Sequence, residues 1–284
     1  MQRLWSSEMS NRFEWRTMSV PVLPAGLRPA PPARITLVAI ALLAVTTGRA
    51  PAAGCDFELL GQGLVAAVID ARSFRLQDGR EVRLAGIQPV ASENRAGQME
   101  ALAAILNGRE VILRGEDDAP DRYGRQTAFV FLAPSGALVQ EILLAQGAAV
   151  SSAAVADKAC ASLLLAAEAA GRQANRGIWS GSSAIKNSES PGDILAGIGR
   201  FTLVEGRVLT VRQAGATTYL NFGRNWTRDF AVTISRRVLP VFEAAGIAPK
   251  SLENRRIRVR GFVEARGGPR IELLRVGQIE LLGG

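Results

Sequence analysis

The order of apolar runs between residues 62 and 180 restricts the fold more strongly than any other feature of the chain. Three short runs rich in Val, Ile and Phe come first, and a turn sequence, Asp-Gly-Arg at 78–80, joins the last two. A helical pattern from Glu93 to Leu106 follows, capped by Ser92 and ended by Asn-Gly. Two strand patterns and two helical patterns complete the region. This order is typical of a five-stranded OB-type barrel with packed helices, a mainly β fold with α (α+β).

The composition excludes several kinds of catalytic site. The 284 residues include no histidine and two cysteines. Histidine bases, histidine metal ligands, Ser-His-Asp triads and cysteine-built zinc sites are therefore excluded. Acid–base or metal chemistry must rest on carboxylates, Lys, Tyr, Arg or the backbone.

Residues 1–54 predict an export signal rather than a part of the fold. A basic, proline-rich stretch precedes an apolar run at 35–47 and then a stretch of small residues. The apolar run is shorter than the roughly 20 residues that a membrane-spanning helix needs, so a membrane anchor is the second alternative. Met18 is an alternative start. We expect an exported, secreted protein of the periplasm or the extracellular space, and no transmembrane segment in the mature chain.

The two cysteines allow two interpretations. Cys55 and Cys160 flank the first predicted domain, and in an oxidising compartment they would form a disulfide that closes a loop of about a hundred residues. Such a bridge would add about 4 kcal/mol of stability. Alternatively, Ala-Ala-Gly-Cys at 52–55 is similar to a bacterial lipoprotein site, with Cys55 as the modified residue. We favour the disulfide.

Composition and charge predict two domains after the export region. The first would span 55–180, a Ser- and Gly-rich linker 181–199, and a second domain 200–284. Residues 200–284 contain 15 Lys and Arg against 7 Asp and Glu, whereas 55–199 contain 13 against 17. A polyanion such as nucleic acid should therefore be attracted more by the second domain.

The second domain predicts another small OB-like β-barrel. Three strands, a helix and two or three strands follow one another there. Strand alternation places Arg256, Arg258 and Arg260 on one face, which we interpret as an anion-binding groove, with a solvated barrel face as the alternative. Three aromatic residues would be available to stack on bases: Tyr219, Phe222 and Trp226.

Four stretches in the first domain resemble the staphylococcal nuclease (thermonuclease) family. They are VIDARSFRLQDGREVRLAGI at 68–87, DRYGRQTAFVFL at 121–132, LVQEILLAQGAAV at 138–150 and LLAAEAAGRQANRGIW at 164–179. Their order over some 120 residues implies a nuclease fold. In that family two aspartates hold calcium, a glutamate acts on the attacking water, and two arginines clamp the phosphate, where positive charge stabilises the transition state.

Position by position, the resemblance is partial. It assigns the two phosphate-clamping arginines to Arg83 and Arg125. The first metal aspartate, however, falls on Arg72, the second falls on Gln88, and the glutamate falls on Val90 or Ala91. A divalent cation would lose its oxygen ligands and face positive charge.

The sequence therefore predicts a degenerate nuclease with no metal and no cofactor, in which Arg72 and the two clamp arginines bind nucleic acid or another anion. The nearest carboxylates are Asp70, most simply a turn residue, and Glu93, most simply a favourable acid in the first helical turn. An active phosphodiesterase that uses Asp70 or Glu93, with calcium as cofactor, is one alternative. A scaffold or interaction protein of the cell envelope is another.

Overall fold

The computed structural model describes residues 54–90, 95–181 and 184–283. The predicted export signal, Ser92 and Glu93 lie outside the described residues. In chain order, the elements of the first region are β1 (Glu58–Asp70), β2 (Ser73–Leu76), β3 (Glu81–Leu84), β4 (Ile87–Gln88), α1 (Arg95–Leu106), β5 (Glu110–Gly115), β6 (Gln126–Leu132), β7 (Ala137–Leu138), α2 (Val139–Ala145), β8 (Val150–Ser151) and α3 (Lys158–Gln173).

Five of these strands close into the predicted barrel. β1 pairs with β2 and β5, β2 pairs with β3, β5 pairs with β6, and a parallel pairing of β3 with β6 closes the ring. Alternate residues of β2 and β3 are buried, including Phe74, Leu76 and Val82, because each strand turns one face into the barrel. Gly79 in the turn between them has a φ of 92°, a backbone conformation that favours glycine.

The second region repeats the same strand order. Its elements are β9 (Ile185–Asn187), α4 (Pro191–Leu195), β10 (Phe201–Arg207), β11 (Thr210–Ala214), β12 (Thr217–Asn221), β13 (Ala231–Ser235), α5 (Leu239–Ala244), β14 (Arg256–Ala265), β15 (Pro269–Leu273) and β16 (Ile279–Leu281). The sheet order is β11-β12-β13-β15-β14-β10-β9, and β13 and β15 are parallel.

Because β10 runs into β11 through two residues, the chain joins the first and last strands of the series β11-β12-β13-β15-β14-β10, and β9 pairs with the other edge of β10. The OB-like prediction is confirmed, except that four strands, and not the predicted three, precede the helix because β10 and β11 are separate. The backbone N–H groups of Val208 and Leu209, where the strand breaks, donate to the carbonyls of Arg255 and Asn221 on either side.

The predicted linker holds secondary structure. β9 pairs in parallel with β10, and Ser188 and Ile194 are buried. The Ser and Gly content of residues 181–199 suggested a linker, although this segment also contains apolar residues that pack against the second barrel. The boundaries between the predicted domains stay predictions.

The predicted disulfide is confirmed. Cys55 and Cys160 are bonded, with their Cα atoms 4.5 Å apart, and both side chains are fully buried. The bond ties the chain just before β1 to the first turn of α3, where Asp157 caps the helix by accepting from the backbone N–H of Cys160. A cysteine in this bond has no thiol to carry a lipid, so the bond contradicts the lipoprotein alternative for Cys55.

Buried ion pairs join the two barrels. Arg260 of β14 is fully buried and donates to both carboxylate oxygens of Glu168 on α3, at 2.8 and 3.0 Å, and to the carbonyl of Ser151 at 3.0 Å. It also donates to Glu280, which pairs with Arg258 at 2.8 Å as well. All described residues belong to one compact unit. Within the described part of the chain, no helix has the length and apolarity to span a membrane.

Candidate functional site

A tight turn between β5 and β6 carries the first part of the candidate site. Asp121 accepts the backbone N–H groups of Tyr123 and Arg125 through Oδ1, at 2.9 and 3.1 Å, and Gly124 has a φ of 77°. Its other oxygen, Oδ2, accepts from Nε and Nη2 of Arg125 at 3.0 and 2.7 Å. The side-chain hydrogen bond from Arg125 lowers the pKa of Asp121 to about 2. The turn therefore holds the Arg125 guanidinium in a fixed direction.

Arg83 lies beside this turn on β3. The parallel pairing of β3 with β6 sets Arg83 next to Thr127, close to the start of β6. Its Nη1 is 3.8 Å from Oδ2 of Asp121. Burial and the neighbouring Arg125 lower the pKa of Arg83. Its guanidinium nevertheless stays protonated, as arginine does in proteins. Arg83 and Arg125 thus share the single carboxylate of Asp121. Two positive charges face one negative charge, so the pair can bind a further anion.

Tyr123 stands at the outer edge of the turn. It is 64% exposed, and the guanidinium groups of Arg122 and Arg125 lie 4.8 and 4.9 Å from its ring centroid. These cation–π contacts stack flat groups along the exposed side of the turn.

A hydrogen bond joins Arg72 and Gln88, the two residues that the resemblance predicts at the metal positions. Arg72 follows β1 in the turn to β2, and its Nη1 donates to Oε1 of Gln88 on β4. Asp70 accepts the backbone N–H of Arg72 at 2.8 Å, which agrees with its predicted role as a turn residue. Asp70 also interacts electrostatically with Arg83 and Arg125, so its carboxylate belongs to the same site.

These residues do not fit a calcium ion. Calcium takes six to eight oxygen ligands, whereas a guanidinium has only donors and repels the ion. Among the described residues, no group of three or more acids or other metal-binding side chains occurs. Glu93 and Ala91 lie outside the described residues, and Val90 is half-buried and apolar. The arrangement suits an anion better than a cation.

A cleft of about 540 Å³ opens beside Asp70 and Arg72. Gln88, Pro89 and Val90 line it from the first barrel, together with side chains from β1 and α1. The second barrel contributes the remaining wall: Arg200, Phe201 and Phe262. Sequence reasoning missed this wall, because no pattern within one domain shows what the other domain faces. A larger hollow of about 770 Å³ shares Val90, Arg200 and Phe201 with the cleft, and neither Arg83 nor Arg125 lines either of the two.

A comparison with protein families finds a match, and it covers part of this site. Residues 81–181 match the family model described as staphylococcal nuclease homologue. This part of the chain is a staphylococcal nuclease-like domain. No curated protein matches the chain. The matched residues include Arg83, Gln88 and Arg125, whereas Asp70 and Arg72 precede them and are placed in the nuclease-like barrel by the pairing of β1 with β2.

The predicted groove on β14 needs correction. Arg258 and Arg260 are 8% and 0% exposed and are paired with acids, so they cannot contact a nucleic acid. Alternation did place them on one face with Arg256, but on that face they pair with Glu205 of β10, Glu280 of β16 and Glu168 of α3. Only Arg256 keeps an exposed side chain, 3.8 Å from Glu205.

The three aromatic residues predicted to stack on bases also differ in their exposure. Phe222 is buried against Phe230, which contradicts its proposed role. Tyr219 is half-buried with the Arg270 guanidinium 5.3 Å from its ring centroid. Trp226 is 72% exposed, in a loop that also exposes Arg224 and Arg228.

Proposed function

We propose that this protein is an exported, nuclease-like module that binds the phosphates of nucleic acid and does not hydrolyse them with calcium. The observation that carries this proposal is the bond between Arg72 and Gln88 at the two positions where the family holds its metal. A site that places a cation and an amide there attracts phosphate and repels calcium.

The charge of the site supports an anionic ligand. Arg72, Arg83 and Arg125 face two described acids, Asp70 and Asp121. Asp121 also orients the planar guanidinium of Arg125 before a ligand arrives. This reduces the conformational entropy that Arg125 loses on binding.

The second barrel favours a nucleic acid over a small anion. Exposed Trp226 between Arg224 and Arg228 offers a ring for a base and cations for the backbone. The excess of Lys and Arg in residues 200–284 extends the positive field beyond a single phosphate site. The disulfide supports export, since such bonds persist in oxidising compartments.

A second candidate is an active phosphodiesterase that uses Asp70. Its carboxylate lines the cleft and interacts with both clamp arginines, so it is placed where a base could take a proton from water. Glu93, the other displaced acid, lies outside the described residues.

The test is a binding and cleavage assay with fluorescent single-stranded DNA, at several salt concentrations, with calcium or with a chelator. Arg83→Ala and Arg125→Ala should each weaken binding and flatten the log-log salt slope by roughly 0.7 per lost phosphate contact. Arg109→Ala is the matched control, because it removes an exposed arginine at the other end of the barrel, where its carbonyl accepts from Val65. Calcium-stimulated cleavage that Arg125→Ala abolishes would establish the phosphodiesterase instead. A wild-type chain that does not bind DNA would leave the envelope scaffold as the better account.

A further inference from the structure

The cleft beside Asp70 and Arg72 has an aromatic wall from the second barrel. Phe262, on β14, is 52% exposed although it lies in the middle of a folded region. Phe201 packs against it in a T-shaped arrangement, with ring centroids 5.5 Å apart. The contact fixes the Phe262 ring and leaves half of its surface open, which is the state of an aromatic platform before it stacks on a ligand.

The other lining residues combine apolar surface with positive charge. Ile69 and Met99 are each 40% exposed at this cleft. Arg72 and Arg200 supply two cations, and among the described residues Arg200 forms no ion pair. Asp70 is the acid in the described lining and connects the cleft to Arg83 and Arg125.

This combination points to one class of ligand. A base presents a flat apolar face and its phosphate presents charge to a guanidinium. A purely apolar peptide would leave Arg72 and Arg200 without an anionic partner, and an inorganic anion would leave the Phe262 ring exposed. The volume of about 540 Å³ falls in the range of sites that hold small ligands.

We propose that the cleft is a nucleotide subsite shared by the two barrels. One base of a single strand stacks on Phe262, its phosphate lies between Arg72 and Arg200, and the next phosphate reaches the clamp of Arg83 and Arg125. The proposal rests on the proposed nucleic-acid function and adds that the second barrel recognises the base next to the clamp.

The experiment compares two ligands for the full chain: a short oligothymidylate and an abasic strand of the same length. Phe262→Ala should weaken binding of oligothymidylate about tenfold and leave the abasic strand unchanged, because stacking on one aromatic ring contributes roughly this much. Arg200→Ala should weaken both ligands. Leu274→Ala is the matched control, since this residue is 57% exposed in the same barrel but does not line the cleft. Phe262→Leu, which keeps apolar bulk against Phe201, should behave like Phe262→Ala if the ring face is what binds.

Three results would overturn the subsite. If Phe262→Ala and Phe262→Leu bind oligothymidylate as the wild type does while Arg83→Ala weakens it, the subsite is absent and the proposed function stands. If Phe262→Ala weakens both ligands equally, the ring supports the fold and does not contact a base. If the wild type binds neither ligand, the subsite and the proposed function both fail.

Discussion

Replacing Arg260 tests how strongly the two barrels depend on each other. Arg260→Ala removes three hydrogen-bonded contacts to Glu168 and Ser151, at 2.8 to 3.0 Å, and the contact to Glu280. Glu168 is 1% exposed and would keep Arg172, at 3.1 Å, and the backbone N–H of Ser151, at 2.7 Å. The substitution therefore leaves the Glu168 carboxylate buried and removes the arginine that donates to both of its oxygens.

The expected effect is large. Breaking a buried ion pair from one side destabilises a protein by about 3–5 kcal/mol, because the remaining charge is desolvated and poorly paired. That is a considerable part of the about 5–15 kcal/mol that separates folded from unfolded domains. Arg256→Ala is the matched control: it lies on the same face of β14, but its side chain is 60% exposed and 3.8 Å from Glu205. An exposed pair of this kind contributes about 0–1 kcal/mol.

Urea unfolding followed by circular dichroism measures both values. We expect Arg260→Ala to lower the free energy of unfolding by at least about 3 kcal/mol and Arg256→Ala by less than about 1 kcal/mol. The double variant Arg260→Met with Glu168→Leu removes both charges, so it should regain most of the loss and remain measurable if the single variant does not fold. Equal, small losses for Arg260→Ala and Arg256→Ala would refute the reasoning, because they would show that water reaches Arg260 in solution.

Three further predictions concern the disulfide, the protonation of Glu280 and the binding of calcium. Reduction of the Cys55–Cys160 bond, which closes a separation of 105 residues, should lower the free energy of unfolding by about 4–5 kcal/mol, measured by urea unfolding with and without reductant. Burial raises the pKa of Glu280, but Arg260 and Arg258 lower it more, so this pKa lies below its usual value of 4.5. Its contribution to stability is therefore complete above that value and is lost as the pH falls through the lowered pKa, and Glu280→Gln should flatten this acid limb of the stability profile. Replacing Arg72 and Gln88 together by Asp should make the melting temperature rise with added calcium, whereas no rise is expected for the wild type; a rise in the wild type would contradict our interpretation of the site.

The sequence predicts the strand order well because that order depends on local patterns. Alternate burial is clear in β3 and β5 of the first barrel, and Gly79 marks the turn between β2 and β3. The secondary structure inside the predicted linker has a physical reason: Ile194 is buried in the core of the second barrel, and composition cannot show such packing.

The candidate site was predicted in part. The Asp121 turn brings Arg125 and Arg83 together as the family resemblance implies, and Arg72 and Gln88 meet in space although they are 16 residues apart. Arg258 and Arg260 were misplaced because alternation assigns a face to a side chain but not what covers that face. One signal was available: Glu168 falls on the buried side of α3, and a buried acid needs a cationic partner.

The ion-paired junction and the candidate site are mechanically connected. Gln88 of β4 is paired with Val150 of β8, and the next residue, Ser151, donates to Glu168 and accepts from Arg260. The second barrel therefore fixes the strand that presents Gln88 to Arg72. On the same face of β14, two residues beyond Arg260, Phe262 reaches the cleft. One strand of the second barrel thus anchors the floor of the site and supplies its aromatic wall. The ion-paired junction therefore holds the strand that carries Gln88, while the second barrel adds Arg200 and the Phe262 ring to the wall of the same cleft.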